Sequence, residues 1–237
     1  MRTVVFHQFR RIWVITAATL LCLWSLIALF VYTATVQYGE RDCWFSVFRI
    51  MQVLLPVAAV LPLSFWIDPF FSEQSAELLH SLPEIHHALF YILCLLISAL
   101  WLCTVVLPLA TAWFLLPEFS LLTALVRCSA QVLFSQALFM ASGALLRSTL
   151  NGMTVLLLTN GAMLLSIEIP AAHGTVFQTF NLFEPFSFTN QNPFSIGKEA
   201  LILALAVLLL VFYRYRMRHY FSHAAEFLCR VRQRNSE

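Results

Sequence analysis

The chain reads as an all-α polytopic membrane protein with six transmembrane helices, and three observations carry that reading. Of its 237 residues 60% are hydrophobic and only 11% charged, more apolar material than a soluble core needs and too little polar surface to keep a monomer in solution. Apolar runs of about 20 residues, the length at which a helix crosses a hydrocarbon core, recur along the whole sequence. The runs at 155–165 and 202–212 are apolar on all sides, without the strict alternation over about 10 residues that a membrane strand requires.

Taken in order, the runs predict helices near 12–36, 47–67, 88–109, 119–146, 150–168 and 199–213. The first follows Arg10 and Arg11, but its apolar stretch is too long for a signal core of about 7–15 residues, so it is expected to remain as an uncleaved anchor. The fourth is longer than a bilayer requires and is expected to tilt or project beyond one face. Outside the spans no stretch is large enough to build a core of its own, so 1–237 forms one membrane domain. The loop 169–198 carries Phe177, Phe180, Phe183, Phe186, Phe188 and Phe194, broken by Pro185 and Pro193. Such a segment is expected to lie in the interface or to fold back into the bundle.

Basic residues orient the bundle, because Lys and Arg are retained on the cytoplasmic side of short loops. With the N-terminus inside, that side holds Arg2, Arg10, Arg11, Arg147, Arg214, Arg216, Arg218, Arg230, Arg232 and Arg234, against Arg41, Arg49 and Lys198 outside. Both termini are therefore expected in the cytoplasm, with 214–237 as a cytoplasmic tail. Cys22, Cys94, Cys103 and Cys128 fall inside spans, Cys229 is cytoplasmic and only Cys43 lies near the outer surface, a distribution that suits small buried hydrophobes and not a disulfide framework.

Between spans two and three, the cytoplasmic loop 68–87 contains an acidic amphipathic segment. At helical spacing Phe71, Ser75, Leu78, Leu79 and Leu82 share one face, while Glu73, Glu77 and His80 share the other. Asp68 or Ser72 is suited to cap such a helix, Pro69 to its first turn, and Pro83 to end it. Asp68, Glu73, Glu77 and Glu84 have no Lys or Arg beside them, so an anionic leaflet repels the segment. Two readings follow from the residues: a helix aimed at a basic protein surface, or a solvated loop resting its leucines on the interface.

The run Glu77-Leu-Leu-His-Ser-Leu-Pro83 resembles the E-L-L-x-S-L-P signature of permease subunits in the type-2 class of ABC exporters. In that family the motif lies between spans two and three of six and forms a coupling helix that docks on a separately encoded ATPase. Phe6, Phe9, Arg10, Arg11 and Trp13 are similar to the family's short interfacial helix ahead of the first span, here 1–11, with aromatic and basic side chains at headgroup level. The family commonly carries Gly-Thr before the motif and Arg or Lys after it, where this chain has Ser75-Ala76 and His86-His87. The resemblance implies that Glu73, Glu77, Leu78, Leu79, Leu82, Pro83 and Glu84 bind the ATPase partner. It also implies a homodimer, or a heterodimer with a related permease, in the bacterial cytoplasmic membrane.

Other chemistry finds less support in the residues. Glu77, His80, Glu84, His86 and His87 are the densest set of potential metal ligands, but Pro83 interrupts their helix and no H-E-x-x-H is present, so no metal site is expected. Neither G-x-S-x-G nor a phosphate-binding loop occurs among the 6 glycines. The chain is thus expected to be a transport subunit and not an enzyme. It is expected to hold no cofactor, with ATP bound by its partner, and to engage lipid but no nucleic acid.

Within the spans, Arg127 and Gln131, with Ser135, recur every four residues and are candidates to line a path. An alternative for Arg127 is snorkelling to the outer headgroups. Asn160, with Gly152 and Gly161, suits helix packing. Two other classes remain open at this point: a membrane enzyme or metal-dependent protein using the Glu/His cluster, and an ion-coupled secondary transporter.

Overall fold

The computed structural model describes residues 2–71, 85–115, 121–168 and 193–234, which are helical almost throughout with no strand among them. The helices are α1 (Arg2–Phe71), α2 (Ile85–Trp101) continued through a π turn (Leu102–Val106) into α3 (Leu107–Leu115), α4 (Leu121–Leu146), α5 (Thr149–Glu168) and α6 (Pro193–Arg234). Five stretches are long and apolar enough to cross a membrane: Trp13–Phe30, Met51–Asp68, Tyr91–Phe114, Ala124–Leu146 and Gly197–Met217. Helix α5, 20 residues long, occupies the place of the expected fifth span.

Helix α1 folds back on itself. Its Trp13 and Trp66 rings meet edge to face with centroids 6.3 Å apart. A straight helix would separate those residues by about 80 Å. Leu23 and Ile27 also share a core cluster with Val47 and Phe48, so the chain reverses between these two pairs while its backbone stays helical. The residues expected as a loop after 36 are thus helical. They contain no proline, and only Gly39 opposes a helix there.

Two apolar clusters order the remaining passes. One joins Leu23 and Ile27, Val47 to Ala59, Val105 to Ala112 and Ala124 to Val132. The other joins Val60 to Ile67, Ile97 and Leu100, Phe139 to Ala144, Leu156 and Tyr213. The second, third and fourth passes each lend their early residues to one cluster and their late residues to the other, in alternation, as antiparallel neighbours must. We call the level of Trp13, Trp66 and Tyr213 the near face and the opposite end the far face.

Helix α4 is the axis of the bundle. It touches every other described helix, α6 most extensively. The share of residues buried is 61% in Ala124–Leu146 and 56% in Met51–Asp68, but 17% in Trp13–Phe30 and in Gly197–Met217. The fourth and second passes are therefore central, and the first and last are peripheral. Leu21, Leu95, Leu150, Leu158 and Leu208 are exposed, an apolar exterior that suits lipid and not water. Hydroxyls on this exterior satisfy themselves within their own helices. Ser25, Ser98, Thr111 and Thr154 each donate to the carbonyl four residues back, at 2.7–2.9 Å.

The π turn follows from Pro108. Proline has no N–H for the Thr104 carbonyl, and its ring crowds that oxygen. The helix widens just ahead of it, and Leu107 N–H reaches the Leu102 carbonyl five residues back. Thr104, fully buried, donates its hydroxyl to the Leu100 carbonyl at 2.6 Å.

Helix ends also lie further out than the apolar runs predict. Helix α6 runs 42 residues, about 63 Å, where the hydrocarbon core is about 30 Å thick. The expected tail is therefore helical from 214 to 234 and continues the last pass past the near face. Residues 193–198, expected in the outer loop, form the start of the same helix.

Candidate functional site

At the near face α4 and α5 are joined by a tight turn. Arg147 takes a left-handed backbone conformation, φ 53°, and Ser148 N–H donates to the Gly143 carbonyl at 3.1 Å, closing the C-terminus of α4 as a Schellman motif. Ser148 then caps α5, its Oγ accepting the Asn151 N–H at 3.3 Å. So short a turn forces the two backbones together. A Cβ on Gly152 would stand 2.9 Å from the Phe139 carbonyl oxygen and 3.0 Å from the Gly143 Cα, contacts that only glycine avoids. Gly161, expected to help packing, has open space around its missing Cβ. Asn160 is buried.

Beside this turn the second pass ends. The Thr149 hydroxyl donates to Asp68 Oδ1, tying the end of the second pass to the start of α5. The connection from the second to the third pass leaves and re-enters the bundle at this face, between Phe71 and Ile85. Glu73, Glu77, Leu78, Leu79, Leu82, Pro83 and Glu84 lie outside the described residues, as do His80 and the expected helix that holds them. Phe6, Phe9, Arg10 and Arg11 lie on the opening turns of α1, which run without a break into the first pass; their side chains lie outside the described ones.

Deeper in the bundle, Pro56 leaves the Gln52 carbonyl without its helical donor. The Gln131 amide supplies one from α4, Nε2 to oxygen at 2.7 Å. This is a polar tie between the two central passes, made where a proline requires it. A second tie joins the third and fourth passes, Trp101 Nε1 donating to Ser129 Oγ at 2.9 Å.

On Gln52 and along α4 from Gln131 lie polar groups that are not satisfied. Gln52, Gln131, Ser135 and Gln136 are each at most 3% exposed. Gln52 Nε2, Gln131 Oε1, Ser135 Oγ and both polar atoms of the Gln136 amide have no hydrogen-bond partner and are closed off from solvent. A buried donor or acceptor left in this state costs about 1–3 kcal/mol. Ser135 in particular does not use the backbone bond that serves the exposed hydroxyls of the other passes.

Toward the far face Arg127 lies on the same side of α4 as Gln131, one turn earlier. Its Nε stands 3.7 Å from Glu199 Oε1 at the start of the last pass, with side chains 18% and 12% exposed. The pair links the axis of the bundle to α6 in a largely desolvated setting. Sequence reasoning singled out Arg127 and Gln131 but missed both of their partners. Glu199 was the acidic group nearest the outer end of the last span, and the Gln52 carbonyl was signalled by Pro56 four residues on.

Among the described residues no three His, Cys, Asp or Glu side chains gather as a metal site, and Cys22, Cys94, Cys103 and Cys128 are free thiols. The hydrogen bonds and the ion pair at these positions link the passes to one another. Compared with protein-family models, with curated proteins and with solved structures, the chain matches none of them.

Proposed function

We propose that the chain is the membrane-spanning permease subunit of an ATP-driven ABC exporter in the bacterial cytoplasmic membrane. The near face is cytoplasmic, α5 crosses as the fifth of six spans, and both termini lie inside. The observation that carries the reading is the Glu77-Leu-Leu-His-Ser-Leu-Pro83 run, placed in the connection between the second and third passes. Arg147, Arg214 and Arg216 support the orientation, since all three belong to the near face.

In this reading residues 73–82 form a coupling helix. Glu73 and Glu77 meet basic residues of the ATPase, and Leu78, Leu79 and Leu82 seat the helix in its groove or against the passes. Asp68 and Thr149 connect the root of that helix to the α4–α5 turn, so a push on the segment reaches the axis of the bundle directly. The subunit works as a homodimer or beside a related permease, with ATP held by the partner, and its cargo is an amphipathic, peptide, drug or lipid-like molecule.

Purification of the tagged chain from its native membrane in mild detergent, with mass spectrometry of what accompanies it, tests the proposal. A stoichiometric ATPase is expected with the unaltered chain and lost with Leu78→Asp. Glu77→Lys is expected to weaken the association in a salt-dependent way. Recovery of the chain alone, or full retention of the ATPase by both variants, would overturn the proposal.

A further inference from the structure

We infer that the amide seam between the second and fourth passes is a surface that opens to water, and meets the transported molecule, in a second arrangement of the bundle. The seam is the contact of Gln52 with Gln131, continued one turn along the same face of α4 by Ser135, with Gln136 next to Ser135 in the chain. Its encounter with cargo rests on the permease reading; its hydration does not.

Two features of the closed seam point this way. Polar groups that serve only to bind helices together are expected to bind each other, yet Gln52 Nε2, Gln131 Oε1, Ser135 Oγ and both polar atoms of Gln136 are buried and meet no donor or acceptor of the protein. Ser135 is the sharper case, because a carbonyl four residues back satisfies Ser98 and Thr154 out on the lipid-facing surface. Groups left in this condition favour any arrangement in which water reaches them.

The tie that closes the seam suits such a change. Pro56 makes the Gln52 carbonyl available without breaking a helical bond, so that oxygen accepts from Gln131 when the passes touch and from water when they part. Parting exposes further groups that gain partners and opens no backbone ladder. At the near face α4 is held to α5 by the close approach of Gly152, and the second pass is tied to the start of α5 by Asp68 and Thr149, which places the opening toward the middle and far face.

The chemistry of the seam also defines what it meets. Amides and a hydroxyl offer donors and acceptors without net charge, close in the chain to Met51, Leu55 and Val132 of one apolar cluster. That surface fits an amphipathic molecule whose polar groups are uncharged amides or hydroxyls, as in a peptide backbone, better than it fits an ion.

Thiol labelling in native membranes tests the inference. Ser135→Cys and Gln136→Cys are compared with Ala130→Cys and Ala137→Cys, equally buried positions on the same helix. The probe is a small water-soluble methanethiosulfonate, and modification is read peptide by peptide by mass spectrometry, so the native cysteines stay in place. Ser135→Cys exchanges one oxygen for sulfur and preserves the fold. The seam positions are expected to react at least tenfold faster than the alanine positions. Equal rates would overturn the inference, even if an ATPase accompanies the chain. Fast labelling of the seam in a chain that recovers no ATPase would instead uphold the opening and remove the exporter.

Discussion

Where α4 meets α5 the bundle closes backbone on backbone; where α4 meets the second pass it closes through side-chain amides. At Gly152 the contact leaves no room for a methyl group, and the Arg147–Ser148 turn satisfies the helix ends within the chain. At Gln131 one amide hydrogen bond spans the interface while neighbouring polar atoms have no partner. One helix therefore carries a joint built to stay shut and, within three turns of it, a joint whose groups are better served by water. The contrast separates anchorage from movement along a single axis, which any machine that rocks helices about a fixed point requires.

The most direct way to break the comparison is to add one carbon to each of two glycines in α5. Gly152→Ala drives a Cβ into the Phe139 carbonyl and the Gly143 backbone and is expected to lower stability by about 1–3 kcal/mol. Gly161→Ala meets nothing and gains helix propensity, so it is expected to raise stability by up to about 1 kcal/mol. Reversible unfolding of the purified protein in mixed micelles measures both. Equal effects would mean that the α4–α5 contact is not the fixed joint.

Next in size is a pair of glutamines on α4. Gln131→Leu removes the donor to the Gln52 carbonyl and leaves that oxygen buried, an expected loss of about 1–2 kcal/mol. Gln136→Leu removes two unpartnered polar atoms at similar volume and is expected to leave stability unchanged or improved. In the reading proposed here it also lowers transport, a gain in stability set against a loss of function. Two similar substitutions on one helix with opposite outcomes would locate the boundary between structural and working polar groups.

How much of this was legible beforehand follows from the kind of force involved. Five passes could be read because burial in a bilayer requires about 20 apolar residues, and α5 lies where a sixth such run was read. Their ends could not, because helix does not stop where apolarity stops. Residues 37–46 have no proline to end α1, and the Arg-rich stretch after 213 is made of residues that extend α6 readily. The four-residue recurrence of Arg127, Gln131 and Ser135 was visible as a shared face. Its partners were not, since pairings such as Arg127 with Glu199 connect positions far apart in the chain and leave no period. The Gly152 contact was suspected from its residue type, and the same logic failed at Gly161, because a small side chain permits close approach without causing it.

A smaller effect is expected at the far face. Arg127→Gln and Glu199→Gln, alone and together, define a coupling energy for a pair that is mostly buried but held at 3.7 Å. About 1 kcal/mol is expected, above the usual worth of an exposed pair and with little dependence on salt. A coupling near zero would free α6 from the axis at that end, leaving the apolar contacts of Ile202 and Ala206 to hold it.

The smallest expected effect concerns the hydrogen bond at the mouth of the near face. Thr149→Val deletes the hydroxyl that donates to Asp68 while keeping the side chain's shape, and both groups are near solvent that can replace the bond. A loss of about 0.5 kcal/mol is therefore expected, well below the effect of Gly152→Ala. If this bond transmits motion from the 73–82 segment, Thr149→Val should reduce coupling between ATP hydrolysis and transport by more than its stability loss explains. Asp68→Asn, which keeps an acceptor for the Thr149 hydroxyl, should preserve most of that coupling. Loss of coupling in Asp68→Asn but not in Thr149→Val would mean that the carboxylate charge matters and the bond does not, and the link between segment and axis would then run through the helix of the second pass alone.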